Sequence, residues 1–417
     1  MTGERMTAPK TGRTRFRDVI GVGEFRALWI AQAQSQLGDQ LARLALALLV
    51  FGRTSSALLT ALVYSLTFLP PLLTSPLLSG LADRFSRRTI IVVVELARGC
   101  LVAAMAIPGS PLAFVMVALT AMVCLQPLFA GARNATLPEI LPGDRYQVGM
   151  GVVAMTDYVT QIVGFAGGGL VIGLLGGPRV ALTIDALSFL ASACLIGWGV
   201  GPHRPAPDAA AQGGTRAFAT AGIRLLVRDR RLAGLAGLIW LFGFFIAPEA
   251  LAAPYAHELH SGSTAVGLLM AADPVGAFAG TLLVTRLIPA EPRQRLMVPL
   301  ALASGIPLVL SAVSPSLPRS LLLWTLNGVF TTYLVLAQAN FTVTVPNAVR
   351  ARAIGVASAG LQTAQGLGVL LAGAIAQVSR PSLSVGVCGA AGAVGTAAIV
   401  LVLLRPRGHP AAPDACG

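Results

Sequence analysis

A chain of 417 residues with 55% hydrophobic and only 11% charged residues, and a mean hydropathy of +0.76, departs from soluble composition, where about a quarter of residues are charged. Its apolar runs are nearly uniform around any helix axis instead of striped, so the solvent they suit is lipid. The net charge of +13 does not point to nucleic acid, because the 30 basic residues are dispersed among short loops, not gathered on one face with readers between them.

The N-terminus has the Arg-rich flank of a signal peptide, yet the apolar run behind it is too long and has no small-residue cleavage site, so a retained first helix is expected. Stretches long enough to cross a bilayer, roughly 20 residues each, fall at 26–51, 57–79, 89–107, 112–131, 149–175 and 179–200. A second set falls at 232–253, 263–286, 296–313, 318–342, 353–378 and 382–404. The expected fold class is therefore an all-α membrane protein of twelve transmembrane helices in two six-helix bundles. Between the sets, the stretch opening with His203-Arg204-Pro205-Ala206-Pro207 and running through Gln212-Gly213-Gly214 to an Arg cluster reads as a polar linker. The implied organisation is a tail at 1–22, a half at 23–200, a linker at 201–231, a second half at 232–404 and a tail at 405–417. An offset of about 208 residues sets Leu137-Pro138-Glu139 opposite Val345-Pro346-Asn347, and Asp83 and Arg87 opposite Glu291 and Arg295, as a twofold repeat would. The first of these echoes is expected to fall in the same loop of each half.

Charge orients the set. With the N-terminus in the cytoplasm, 24 of the 30 basic residues fall in cytoplasmic loops and tails, four fall outside (Arg53, Arg179, Arg319 and Arg380), and Arg43 and Arg98 lie within helices. Both termini are expected on the cytoplasmic side of a cell membrane.

The loop after the second span reads Ser79-Gly80-Leu81-Ala82-Asp83-Arg84-Phe85-Ser86-Arg87-Arg88. Its Asp is able to cap a helix and pair with Arg, and its small residues permit close helix approach. It resembles the signature loop of the major facilitator superfamily, with Ser79 and Ser86 where that family usually has glycine. The resemblance implies a twelve-helix fold and a cytoplasmic gating role for Ser79, Gly80, Asp83, Arg84, Arg87 and Arg88. Phe25-Arg26-Ala27-Leu28-Trp29 leading to Leu37-Gly38-Asp39, then Ala132-Arg133-Asn134-Ala135-Thr136-Leu137-Pro138, Ile184-Asp185-Ala186-Leu187-Ser188-Phe189 and Arg350-Ala351-Arg352, resemble the branch of macrolide and enterobactin exporters. Export is what that resemblance implies. Drug antiporters of the family carry a Gly-Pro motif in the fifth helix; here the stretch is Gly164-Phe165-Ala166-Gly167-Gly168-Gly169, keeping Gly164, Gly168 and Gly169 without the proline.

Ionisable groups within spans are functional candidates because each is costly in lipid. Asp39 and Arg43, four residues apart, share a helix face and are able to pair toward a central cavity, either as a proton-coupling element or as a fixed structural ion pair. Glu95 and Arg98, three apart, form a second expected pair, read as structural. Asp273, beside Pro274 and with no charged neighbour in sequence, is the second coupling candidate, and Asp157, a further coupling candidate, is expected with Gln161 to line the cavity. Asp185 and Glu249 are expected near the outer ends of their helices, solvated by water. Gln32, Gln34, Gln36, Gln338, Asn340, Gln362 and Gln365 add uncharged polar groups that either line a cavity for an amphipathic ligand or bond between helices.

Five cysteines, Cys100, Cys124, Cys194, Cys388 and Cys416, show no paired spacing. There is no phosphate-binding loop, the lone lysine is Lys10, and no metal-ligand or nucleophile set is in reach of water and substrate, so no enzyme and no cofactor are expected. The expectation is a monomeric transporter exporting amphipathic small molecules in exchange for protons. An importer or lipid mover, and a non-transporting receptor or scaffold, are the alternatives.

Overall fold

In a computed structural model, residues 16–74, 85–202, 223–226 and 228–402 are described. A short helix, Phe16–Ile20, precedes the first crossing, α1 (Gly23–Thr54). The first half continues with α2 (Ala57–Thr74), α3 (Arg87–Ala106), α4 (Leu112–Ile140), α5 (Asp144–Leu174) and α6 (Pro178–Gly199). The second half comprises α7 (Arg230–Glu258), α8 (Ser263–Leu287), α9 (Pro292–Val313), α10 (Leu317–Thr344), α11 (Arg350–Val378) and α12 (Pro381–Val402). Eleven of these are long and apolar enough to span a bilayer by composition. The twelfth is α1, whose 32 residues include Glu24, Arg26, Asp39, Arg43 and Arg53 and so dilute its apolar character.

Several helices outrun their expected ends. α7 passes through Pro254 to Glu258, and α4 passes through Pro127 and Pro138 to Ile140. A proline removes one backbone donor and crowds the preceding turn, and in a packed bundle neighbouring helices offset that loss. Leu137-Pro138-Glu139 is therefore helical, whereas its echo Val345-Pro346-Asn347 is the turn between α10 and α11; the two do not occupy equivalent loops.

Because the spans alternate, both ends of the described chain lie on one face, the terminus face. The turns at 55–56, 107–111, 175–177, 259–262, 314–316 and 379–380 lie on the opposite, far face. Within the first half, α1 packs on α5 and α6, and α3 on α4 and α6; within the second, α8 packs on α10, and α12 on α7 and α9. The halves meet where α5 packs on α8 and α2 on α11. Large apolar side chains such as Val117, Leu187, Leu322 and Val394 are more than half exposed around the flanks, as a lipid-facing surface requires.

Glycine makes the closest crossings. A Cβ on Gly169 of α5 would lie 2.9 Å from the Gly267 Cα of α8, and one on Gly267 would lie 2.4 Å from the Phe165 carbonyl oxygen. Gly164 and Gly168 instead face Gln40, Leu41 and Leu44 of α1. The glycine stretch that lacks a proline thus runs as unbroken helix, packing α5 on α1 with one side and on the other half with the other.

Candidate functional site: a charged cavity between the halves

Contacts between the halves gather toward the far face. Gly169 and Gly267 abut five residues from the end of α5 and four from the start of α8. On α2 and α11, a Cβ at Gly373 would strike Ala61, and the Ser56 hydroxyl donates to Gln377 Oε1 at 2.9 Å. Deeper in the molecule than these crossings lies a cavity of about 220 Å³. Its polar lining comprises Arg43, Tyr64, Tyr158, Gln161, Glu249, Asp273, Thr331, Thr332 and Gln365; its apolar lining includes Phe68, Phe242, Ile246 and Pro274.

The cavity's acids come from the second half. Asp273 sits in α8 one residue before Pro274, and Asn327 Nδ2 of α10 donates to its Oδ1 at 2.7 Å. That bond is possible because α8 and α10 touch backbone to backbone: a Cβ on Gly276 would lie 1.8 Å from the Thr325 carbonyl oxygen, and one on Gly328 would lie 2.1 Å from the Asp273 carbonyl oxygen. Glu249 of α7 accepts a hydrogen bond from the Tyr64 hydroxyl of α2, so it is tied to the opposite half. Glu249 is thus a half-buried cavity group and not a solvated rim residue. Ending the helix near Pro254 displaced it toward the surface in the sequence reading, whereas α7 runs on to Glu258.

Arg43, the cavity's base, comes from α1 and closes no ion pair among the described residues. Its expected partner is engaged elsewhere: Asp39 takes both oxygens to Arg98 Nη2 of α3, at 2.9 Å each. Arg98 also reaches Glu95 Oε1 at 3.4 Å and stacks over the Phe189 ring of α6, 4.4 Å from its centroid. Asp185 joins this group, fully buried on α6 and fitted against Gly38, where a Cβ would stand 2.2 Å from its Oδ1. It too is not the solvated end-residue that its position suggested. The i,i+4 spacing of Asp39 and Arg43 permits their pairing, but tertiary packing places Arg98 Nη2 between the two oxygens of Asp39 instead.

The remaining candidates divide. Gln161 and Gln365 line the cavity. Asp157 lies outside that lining and accepts from Gln36 Nε2 at 2.9 Å. Gln34 donates to the Ser188 carbonyl oxygen at 3.3 Å, Asn340 approaches the Met297 sulfur at 3.5 Å, and Gln338 is exposed, so these three do not face the cavity. Arg87 pairs with Glu139 at 2.5 Å and donates to the Ala135 carbonyl at 2.8 Å, while Arg88 donates to the Gly197 carbonyl. Ser79, Gly80, Asp83 and Arg84 lie outside the described residues. Among the cysteines, Cys388 is buried and Cys100 and Cys194 are exposed on the flanks. Sequence reasoning missed Tyr64 altogether; its signal, a tyrosine about two turns inside an apolar helix, is too common to mark a site.

The family model of transmembrane secretion effectors, a branch of the major facilitator superfamily, matches residues 20–413. The uncharacterised transporter YfiS of Bacillus subtilis is 33% identical over 170 residues, a stretch that is 40% of each chain. The multidrug efflux pump Tap of Mycobacterium tuberculosis is 28% identical over 371 residues, covering 82% of this chain and 84% of Tap. Among solved structures, a mutant of the peptide transporter POT in complex with sulfate superposes with a TM-score of 0.69 at 15% identity, over 94% of this chain and 95% of that one, a likeness of fold alone. With an all-helical twelve-crossing fold, a charged cavity between its halves and a family match over nearly its whole length, the chain belongs to the transmembrane secretion effector family of the major facilitator superfamily and is a secondary transporter.

Proposed function

We propose that the protein exports amphipathic small molecules from the cytoplasm in exchange for protons, by rocking one half against the other around the cavity. The observation that carries this reading is the cavity itself, in which Glu249 and Asp273 from one half face an unpaired Arg43 and the aromatic rings of Tyr64 and Phe68 from the other. An acid that takes up a proton in this space changes the electrostatics on both sides of the interface that must rearrange. The far-face crossings close the cavity toward one side. With the terminus face in the cytoplasm of a cell membrane, as the Arg distribution supports, that closed side is the exterior and the cavity is poised for loading from within. Tap, a multidrug efflux pump, agrees with this direction over most of the chain.

Of the three coupling acids marked in the sequence, Asp273 stands at the cavity, Asp39 behind it in the Arg98 group, and Asp157 outside the lining with Gln36. The test is a drug-sensitivity and dye-efflux panel in an efflux-deficient host, with and without a proton uncoupler. Energised efflux that the uncoupler abolishes, and that Asp273→Asn or Glu249→Gln reduces at least tenfold while the protein still inserts, is expected. Accumulation of tracer in expressing cells would overturn the direction, and efflux indifferent to the uncoupler would overturn proton coupling.

A further inference from the structure

The group around Arg98 holds three carboxyls, Asp39 from α1, Glu95 from α3 and Asp185 from α6, against one guanidinium. Glu95 and Asp185 are fully buried and Arg98 is 3% exposed. The charged groups acting on one another there are these four. The other helices packed on α1, α3 and α6 direct their charges elsewhere: on α4, Arg133 donates to Asn134, and on α5, Asp157 holds Gln36.

Two carboxyl oxygens in this closed space, Glu95 Oε2 and Asp185 Oδ2, have no hydrogen-bond partner. An ionised oxygen without a donor is among the most costly groups to bury, and Arg98 gives Nη2 to Asp39 and Nη1 to Glu95 Oε1, while its Nε, itself without a partner, bonds to neither orphaned oxygen. Three carboxylates with one guanidinium would leave two uncompensated negative charges within the membrane. Electroneutrality therefore asks for two protons, and a neutral O–H on each orphaned oxygen is far less costly to bury than a bare negative charge there.

We propose that Asp39, Glu95 and Asp185, gathered around Arg98, form a proton-binding site of the first half, separate from the cavity and able to hold more than one proton. Asp39, with 15% of its side chain exposed, is the one member at the rim and the point at which a proton passes to or from water. When a proton leaves, the O–H bond on Glu95 or Asp185 breaks, the electron pair stays on the carboxyl oxygen, and the new anion competes with Asp39 for Arg98. Asp39 and Arg43 lie one turn apart on α1, so the state of this group bears on the helix that carries the cavity's base. For its use in transport the inference rests on the proton-exchange reading above; the presence of the protons does not.

The experiment is infrared difference spectroscopy of the reconstituted full chain between alkaline and acid buffer, without substrate, reading the carbonyl stretch of protonated carboxyls. The double variant Glu249→Gln/Asp273→Asn, which removes the cavity acids, is expected to retain a protonated-carboxyl signal. In that background, Glu95→Gln and Asp185→Asn each lower it by roughly half, as the loss of one of two protons requires. Should either buried variant fail to reconstitute, Asp39→Asn at the rim is expected to give the same loss, because it too removes one carboxyl from the balance. A cavity double variant with no remaining signal would overturn the proposal, as would cluster variants that leave the signal unchanged. Failure of proton-driven efflux with these signals intact would overturn the exchange reading alone.

Discussion

The Tyr64 hydroxyl of α2 donates a hydrogen bond to the Glu249 carboxylate of α7, joining the two halves at the edge of the cavity. Separation of the halves at the far face must break this bond, and a bond to a carboxylate is stronger than one between neutral groups. Tyr64→Phe leaves a half-buried acceptor unpaired, at about 1–3 kcal/mol. The share of molecules open at the far face should rise roughly 5- to 150-fold. Spin labels at Gly52→Cys and Arg380→Cys, on exposed far-face sites of opposite halves, would report this as a longer distance; an unchanged distance distribution would remove Tyr64 from the gate.

Glycine crossings of two kinds predict different consequences for the same substitution. Gly267→Ala drives a methyl group into the Phe165 carbonyl across the halves, so it should open the far-face seal with little loss of stability. Gly276→Ala drives one into the Thr325 carbonyl within the second half, and should lower stability by about 1–3 kcal/mol without moving the labels. Melting temperature and label distance measured on both variants separate the two effects. An equal loss of stability in both would contradict the division.

Removal of Arg98 takes the one cation away from Asp39 and from the two fully buried acids beside it, Glu95 and Asp185. Arg98→Met should destabilise the protein by about 3–5 kcal/mol, visible as reduced membrane yield and a lower melting temperature. Adding Asp39→Asn removes the acid that loses two hydrogen bonds, and the double variant should recover part of the yield. Strict additivity of the two losses would show that the pair does not interact.

Arg43 faces the cavity without an ion pair, opposite two acids. Arg43→Gln leaves the lining with acids only. Efflux of carboxylate-bearing members of a dye panel should fall more than efflux of amines, by about tenfold if one charge contact near 1.4 kcal/mol is lost. A larger loss for amines would place the substrate's cation at Arg43's side of the cavity and refute this assignment.

Much of the site could be read before any coordinates. Asp273, Gln161 and Gln365 stand out in sequence as polar groups in apolar spans, and all three reach the cavity. Glu249 reads instead as a rim residue, because a span ending at 253 puts it close to water. Asp185 failed for a related reason: distance along a helix says how deep a residue sits, but not whether it faces lipid, water or protein. Gln34 and Asn340 show the converse, since polar groups in a span are satisfied as readily by backbone carbonyls and sulfur as by a cavity, and Gln338 lies exposed.

Sequence alone determined the number of crossings, their pairing into halves and the side on which Arg accumulates, because hydrophobic length and loop charge are local properties that bilayer thickness reads directly. The partner of each buried charge was decided only by tertiary structure. Asp39 has Arg43 one turn away and Arg98 fifty-nine residues away, and it binds Arg98. Helix spacing offers a neighbour, while packing of α1 and α3 on α6, with Gly38 making room for Asp185, brings a guanidinium nitrogen to both Asp39 oxygens and leaves Arg43 to the cavity.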